Sequence, residues 1–396
     1  MTRFPNNALS AAFERQWVAH KKYWYLTSLI LPCAPLLSAW LAVHFKQGAW
    51  LWLVVVLAYI AVPLLDALFG EDTANPSDEQ IEQLKNAPYY DWLLYGAAIL
   101  HWAALVGMAY TVAHWSWSWF DILGAGLGAG LVNGIALTIG HELAHKMNNP
   151  RHTLAGKLAL ACCGYGHFIV DHNKGHHKDV ATPEDIASSR MGETIYAFAC
   201  RELPGALKRA MGIEAERLQR MGKPWWSPSN EILQQWAFAL AAYGAMLACW
   251  GVRLLPFLLL AAFYGWWQLT SANYVEHYGL LRQKDEKNPN RYQRCEPRHS
   301  WNTNLKVSNL ILLHLQRHSD HHAHPTRAYQ ALRDYRDVPQ LPFDYFAMFM
   351  LALVPPLWFA VMNPRVAAWA GNDMDKVNLA PQSREAIFHL YHRPAA

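Results

Sequence analysis

The chain has 396 residues, 53% hydrophobic and 16% charged, with a formal net charge of +4. The charged share lies well below the ~25% usual in soluble domains, which points to a membrane protein carrying one substantial water-exposed part. A charge this mild makes no case for a nucleic-acid partner, and six cysteines without a CxxC pair exclude a built-in cysteine-ligated iron module.

Residues 1–22 lack the apolar core and small-residue cleavage site of a signal peptide. Six stretches then approach or exceed the ~20 apolar residues needed to span a bilayer. They run at about 23–45, 50–69, 92–113, 120–140, 232–250 and 254–272. Trp17, Trp24, Trp50, Trp52, Trp115, Trp117 and Trp119 fall near their ends, as interfacial aromatic belts do. Very short linkers join the first and second, third and fourth, and fifth and sixth stretches, so three helical hairpins are expected. Parity puts the short linkers on one face and both termini and the long polar segments on the other. Of the 34 Lys and Arg, only Lys46 and Arg253 fall on the short-linker side. The positive-inside rule then makes the other side, with 141–231 and 273–396, cytoplasmic. The expectation is a single all-α membrane domain over 1–396. The apolar stretch 343–361 contains Pro355 and Pro356, which would break a seventh span, and a re-entrant or interface-lying helix is expected there. Gly124, Gly126, Gly128, Gly130 and Gly134 on the fourth span suit close helix packing, with a glycine-lined tunnel as the alternative.

Nine of the 20 histidines fall in four clusters: His141 and His145 in HELAH; His172, His176 and His177 in HNKGHH; His277 in EH; and His318, His321 and His322 in HSDHH. Spacings of three and four put two imidazoles on one helix face, where they can share a metal. The doublets His176-His177 and His321-His322 diverge and suit two metals side by side. His141 follows the fourth span and His277 the sixth, so both emerge on one face, where the other clusters lie. HELAH also matches the zincin pattern H-E-x-x-H, with Glu142 as general base, which keeps an intramembrane zinc protease in view. A zinc site needs about three protein ligands and would leave most of these histidines without a role. Nine imidazoles divide more naturally between two irons, and iron, unlike zinc, activates O₂. Glu142, Asp171, Glu276 and Asp320 stand beside the clusters as carboxylates able to accept the outer N–H of a bound imidazole.

HELAHK (from His141), HNKGHHKDVATPED (from His172), NYVEHYGLLR (from Asn273) and LQRHSDHHAHPTRAYQALRDY (from Leu315) resemble the motifs of bacterial membrane-bound alkane 1-monooxygenases. PLLDALFGED (from Pro63) is similar to that family's second span, and the likeness extends to MNPRVAAW (from Met362). The resemblance implies a desaturase- and hydroxylase-like membrane fold with a cytoplasmic di-iron region. It implies that His141, His145, His172, His176, His177, His277, His318, His321 and His322 hold two iron ions. It implies hydroxylation of the terminal carbon of an n-alkane with O₂, two protons and two electrons, the electrons coming from rubredoxin recharged by an NADH-dependent reductase. It implies that Ala58 occupies a position that limits chain length, its small side chain admitting longer alkanes. A xylene-type methyl hydroxylase and a fatty-acyl desaturase are the nearest alternatives. Lys208, Arg209, Arg217, Arg220, Lys223, Arg282, Lys284, Arg291 and Arg294 are candidates for docking an acidic electron carrier or anionic lipid.

Overall fold

The computed structural model describes residues 8–146 and 149–392. Among these, regular structure is helical, and strand pairing is limited to isolated bridges such as Glu71 with Leu305 and Met191 with Leu379. Six helices are long and apolar enough to cross a membrane. They are α1 (Gln16–Phe45), α2 (Gly48–Phe69), α3 (Pro88–His114), α4 (Trp119–Ala144) and, further on, Glu231–Trp250 and Val252–His277. Between them lie α5 (Pro150–Ala161) and α6 (Ile195–Arg220), so the last two spans are α7 and α8. The chain ends with α9 (His318–Ala323), α10 (Tyr345–Ala352), α11 (Pro355–Trp369) and α12 (Arg384–Tyr391).

The spans are longer than their apolar cores. A capping box at Ser118 starts α4, whose last turns hold His141 and Glu142; the last turn of α8 holds Glu276 and His277. Polar residues continue these helices because they are buried inside the protein, where a helical backbone satisfies its own hydrogen bonds. The window of α4 is 78% buried against 22% for α7, so α4 is the central helix and α7 faces outward. Leu64, Leu68, Ile99, Leu240 and Leu259 stand exposed on the outer face, as lipid-facing residues would.

Small residues let α4 and α8 touch. A Cβ at Gly130 would sit 2.6 Å from Tyr264 Cβ, and one at Gly134 would sit 2.5 Å from Gln268 Cβ. Close packing is therefore what these glycines provide, and Gly134 also borders a cavity. At 343–361 two helices, α10 and α11, meet at 120° where Pro355 and Pro356 follow Val354, so no straight helix crosses there. Asp344 caps α10, accepting from the N–H groups of Phe346 and Ala347, and sets Tyr345 and Phe346 against the core.

Candidate metal centre

The four histidine clusters converge. Each of the nine rings offers a nitrogen to one of two groups, within which these atoms lie no more than 4.8 Å apart. The first group holds His141, His145, His172, His177 and His321; the second holds His176, His277, His318 and His322. Both doublets are split, one ring going to each group, as diverging neighbours on a helix must be.

Local structure accounts for the sorting. The chain from His172 to His176 forms a π-turn, whose wider pitch puts residues five apart on one side. His172 and His177 therefore face one another, Nε2 to Nε2 at 2.9 Å, and His176 joins the other group. An α-helical reading pairs His172 with His176 instead. In α9 the i, i+4 pair His318 and His322 share the second group, Nε2 to Nε2 at 2.8 Å. Arg317 anchors this helix: its buried guanidinium donates to the carbonyls of Leu332 (2.7 Å) and Asp72 (2.6 Å).

The donor set fits bound cations. His321 Nε2 lies 2.9 Å from His141 Nε2 and 3.1 Å from His177 Nε2, and His176 Nε2 lies 3.2 Å from His322 Nε2. His145 Nε2, both nitrogens of His277 and the Nδ1 atoms of His177, His318 and His322 are buried without a hydrogen-bond partner. Lone pairs aimed at common points, with so many unpaired nitrogens around them, are what metal ions would satisfy. Burial, aided by the neighbouring imidazoles, holds His172, His177, His318, His321 and His322 well below the usual histidine range. The rings are neutral, as ligation requires.

The surrounding carboxylates differ from the simple pattern of one acceptor per cluster. The outer contact comes from Asp185, 2.9 Å from His176 Nδ1. Arg209 bridges Asp185 (3.1 Å) and Asp171 (2.5 and 2.9 Å), so Asp171 acts on the cluster only through that guanidinium. Glu276 Oε2 lies 3.2 Å from His318 Nε2, the nitrogen turned towards His322, so this carboxylate sits on the metal side of the ring. Glu142 is held by Lys146 (2.9 Å) and the N–H of Tyr329 (3.3 Å), and makes no hydrogen bond to an imidazole. It is not placed to serve as a zincin base. Asp320 accepts from Arg327, Tyr335, His324 and the N–H of Arg333, and braces the turn after α9 rather than any of the nine rings. Asp185 lies within the recognised stretch, but no helical period relates it to His176 nine residues earlier, so sequence reasoning missed it.

A cavity borders the two histidine groups. Its walls are mainly apolar, with Leu131, Ile135, Ala272, Leu312, Phe346 and Phe349 among them, and His141, His172 and His318 also line it. Rings of both groups thus face one space. Ala58, on a π-turn over Leu57–Ala61, is fully buried in the apolar cluster that contains Leu131 and Ile135. It backs the wall and does not line the cavity. Three of the candidate docking cations are not free. Arg209 is held by Asp171 and Asp185, Arg217 pairs with Glu214, and Arg282 is buried and donates to the carbonyl of Lys178. Lys208, Arg220, Lys223, Lys284, Arg291 and Arg294 are exposed.

A helical membrane bundle in which nine convergent histidines, fit to hold metal, border an apolar cavity defines a membrane-bound desaturase- and hydroxylase-type protein, and the family model for fatty acid desaturases matches residues 117–352. Finer likeness is to the alkane 1-monooxygenase of Ectopseudomonas oleovorans, 49% identical over 96% of this chain and 94% of that protein. The alkane 1-monooxygenase of Pseudomonas putida is 48% identical over 96% and 94% of the two chains. The hydroxylase component of the xylene/toluene monooxygenase of Pseudomonas putida is 31% identical over 63% of this chain and 66% of its own. The chain belongs to the alkane 1-monooxygenase family.

Proposed function

We propose that the protein hydroxylates the terminal methyl of medium- to long-chain n-alkanes, taking O₂ with two protons and two electrons to the primary alcohol and water. The observation that carries this is the meeting of an apolar cavity with both histidine groups. An alkane offers no charge or hydrogen bond to grip, so shape and exclusion of water must deliver its end to the reacting centre. Leu131, Ile135 and Phe349 supply the shape, and the histidines stop the chain end-on.

The nine histidines would hold two iron ions, five rings on one and four on the other. Bound iron would supply the redox chemistry that activates O₂. The residues do the rest: Asp185 fixes the ring of His176, and the neutral imidazoles keep the site free of competing protons. Electrons would come from rubredoxin, served by an NADH-dependent reductase and docking on the exposed cations. We place the protein in the bacterial inner membrane with both termini cytoplasmic, because 32 of its 34 Lys and Arg fall on that side when Lys46 and Arg253 are set apart. The likeness to alkane 1-monooxygenases over nearly the whole chain favours an alkane over a xylene or a fatty acyl chain.

The test is metal content and turnover on one purified sample in nanodiscs. About two irons per chain, and 1-octanol or 1-dodecanol formed with O₂ and reduced rubredoxin, are expected. Zinc in place of iron with no alcohol, or conversion of a methylarene alone, would overturn the reading.

A further inference from the structure

The reaction consumes two protons, and the apolar cavity that admits the hydrocarbon offers a poor route for them. A second, smaller chamber shares Phe168, His172, Leu269 and Asn273 with that cavity. It too reaches the metal centre, because His172 and His176 form part of its wall. Besides Asp171, Ala187 and Ala206, its wall holds four buried polar residues: Glu202 from α6, Tyr165 and His167 from the loop after α5, and Asn273 from α8. The Tyr165 hydroxyl and both ring nitrogens of His167 have no hydrogen-bond partner. Buried polar atoms without protein partners, lining a shared space, mark a site for ordered water. Glu202 is 1% exposed and has no cation bonded to it. Its carboxyl oxygens accept from Thr270 (2.8 Å) and Asn273 (3.1 Å).

We propose that this chamber is the proton inlet of the metal centre, with Glu202 as the residue that loads it. The proposal rests on the monooxygenase reading. A chamber water takes the proton of the Glu202 carboxyl and passes one on to the oxygen atom that leaves as water. Each turnover needs two such transfers, matched by the two electrons from the carrier, and each proton that Glu202 gives up is replaced from bulk solvent.

The environment keeps that proton available. Burial pushes the Glu202 carboxyl up to about 7, the nearby Asp171 charge adds to this, and Thr270, Asn273 and the Arg201 charge act against it. Burial lowers His167 to about 4, so it is neutral at physiological pH, and burial pushes the Tyr165 phenol well up, so it stays protonated.

The test uses Glu202→Gln in the full-length protein, read two ways. Infrared titration of the iron-loaded protein should show, in the wild-type minus Glu202→Gln difference, a protonated-carboxyl band that fades with a midpoint near pH 7. In the iron-loaded protein, Glu202→Gln should lower kcat by about a hundredfold, the scale of general acid catalysis, with KM for alkane and metal content unchanged. The wild-type kcat should fall on the alkaline side at the midpoint of the carboxyl band. If Glu202→Gln does not fold, Tyr165→Phe, which removes one chamber hydroxyl, should raise the solvent deuterium isotope effect on kcat. Unchanged kcat in Glu202→Gln, or an unchanged isotope effect in Tyr165→Phe, overturns the inlet while leaving the alkane reading intact. A titrating band in a protein that converts no alkane overturns both.

Discussion

Arg209→Met removes a guanidinium and keeps a side chain of similar reach. In the native protein this group donates to Asp171 at 2.5 and 2.9 Å and to Asp185 at 3.1 Å. The side chains of Arg209, Asp171 and Asp185 are 15%, 9% and 0% exposed, so solvent cannot take the guanidinium's place. Removing one partner from a buried ion pair costs about 3–5 kcal/mol, because the charge left behind has no compensation. Here two carboxylates are left, and Asp185 also holds His176 Nδ1 at 2.9 Å. Loss of such an outer partner typically weakens a metal site by about 10–100-fold, roughly 1.4–2.8 kcal/mol. The expected result is a lower melting temperature and a shift of the same size in the chelator concentration that strips half of the metal. Arg209→Met with Asp171→Asn should recover part of the stability, since one uncompensated charge disappears. Chelator curves that superimpose for wild type and Arg209→Met would refute the chain from Arg209 through Asp185 to His176.

Ala272→Leu adds three carbons to the cavity wall and should move preference towards shorter alkanes. Each methylene of fit is worth about 1–3 kcal/mol, so competition between dodecane and octane should shift at least tenfold; an unchanged ratio would mean the substrate lies elsewhere. Gly134→Val should cost about 1–3 kcal/mol by forcing α4 off Gln268, read as thermal stability in detergent, and no loss would contradict the helix contact. Asp344 has its carboxyl raised to about 6, by burial first and by the Asp66 charge second. A raised carboxyl stabilises the fold fully below its ordinary value and loses that contribution as pH rises through about 6. Asn caps a helix as well as Asp, so Asp344→Asn should gain stability over wild type at pH 8 relative to pH 4, and equal pH profiles would refute this. Transfer of electrons from an acidic carrier should slow as salt rises from about 0.05 to about 0.5 M, because Lys208, Arg220, Lys223, Lys284, Arg291 and Arg294 are exposed, and a flat profile would exclude docking by charge.

The spans were legible because twenty apolar residues in a row leave the chain few alternatives, and their polar ends were not, because burial by other segments decides where a helix stops. The split of His176 from His177 was legible from the doublet alone. The partner of His172 was not, since a π-turn changes the period and only Gly175 hints at it: a Cβ there would lie 2.6 Å from Arg209 Nε. Charge alone groups Arg209 with the docking cations, and helical phase separates it from them. A period of 3.6 puts Glu202, Ala206 and Arg209 on one side of α6, and a buried glutamate and alanine there mark it as the inward side. The same phase argument draws Arg217 inward beside the buried Glu214 and leaves Lys208 outside.

That inward side of α6 explains how one membrane boundary serves two opposed needs. An inert hydrocarbon must meet the metal centre in the dry, and the reaction there must still be fed with protons. α4 and α8 divide the work: their apolar residues Leu131, Ile135 and Ala272 build the dry cavity, whereas Asn273 on α8 borders both spaces and binds Glu202. Phe168 and Leu269 are shared walls of the two spaces. Replacing either with a smaller residue should therefore let water into the hydrocarbon cavity and lower the alcohol formed per O₂ consumed, before it alters metal binding. An unchanged ratio in Phe168→Ala, with metal content intact, would mean that the two spaces are not separated by that ring.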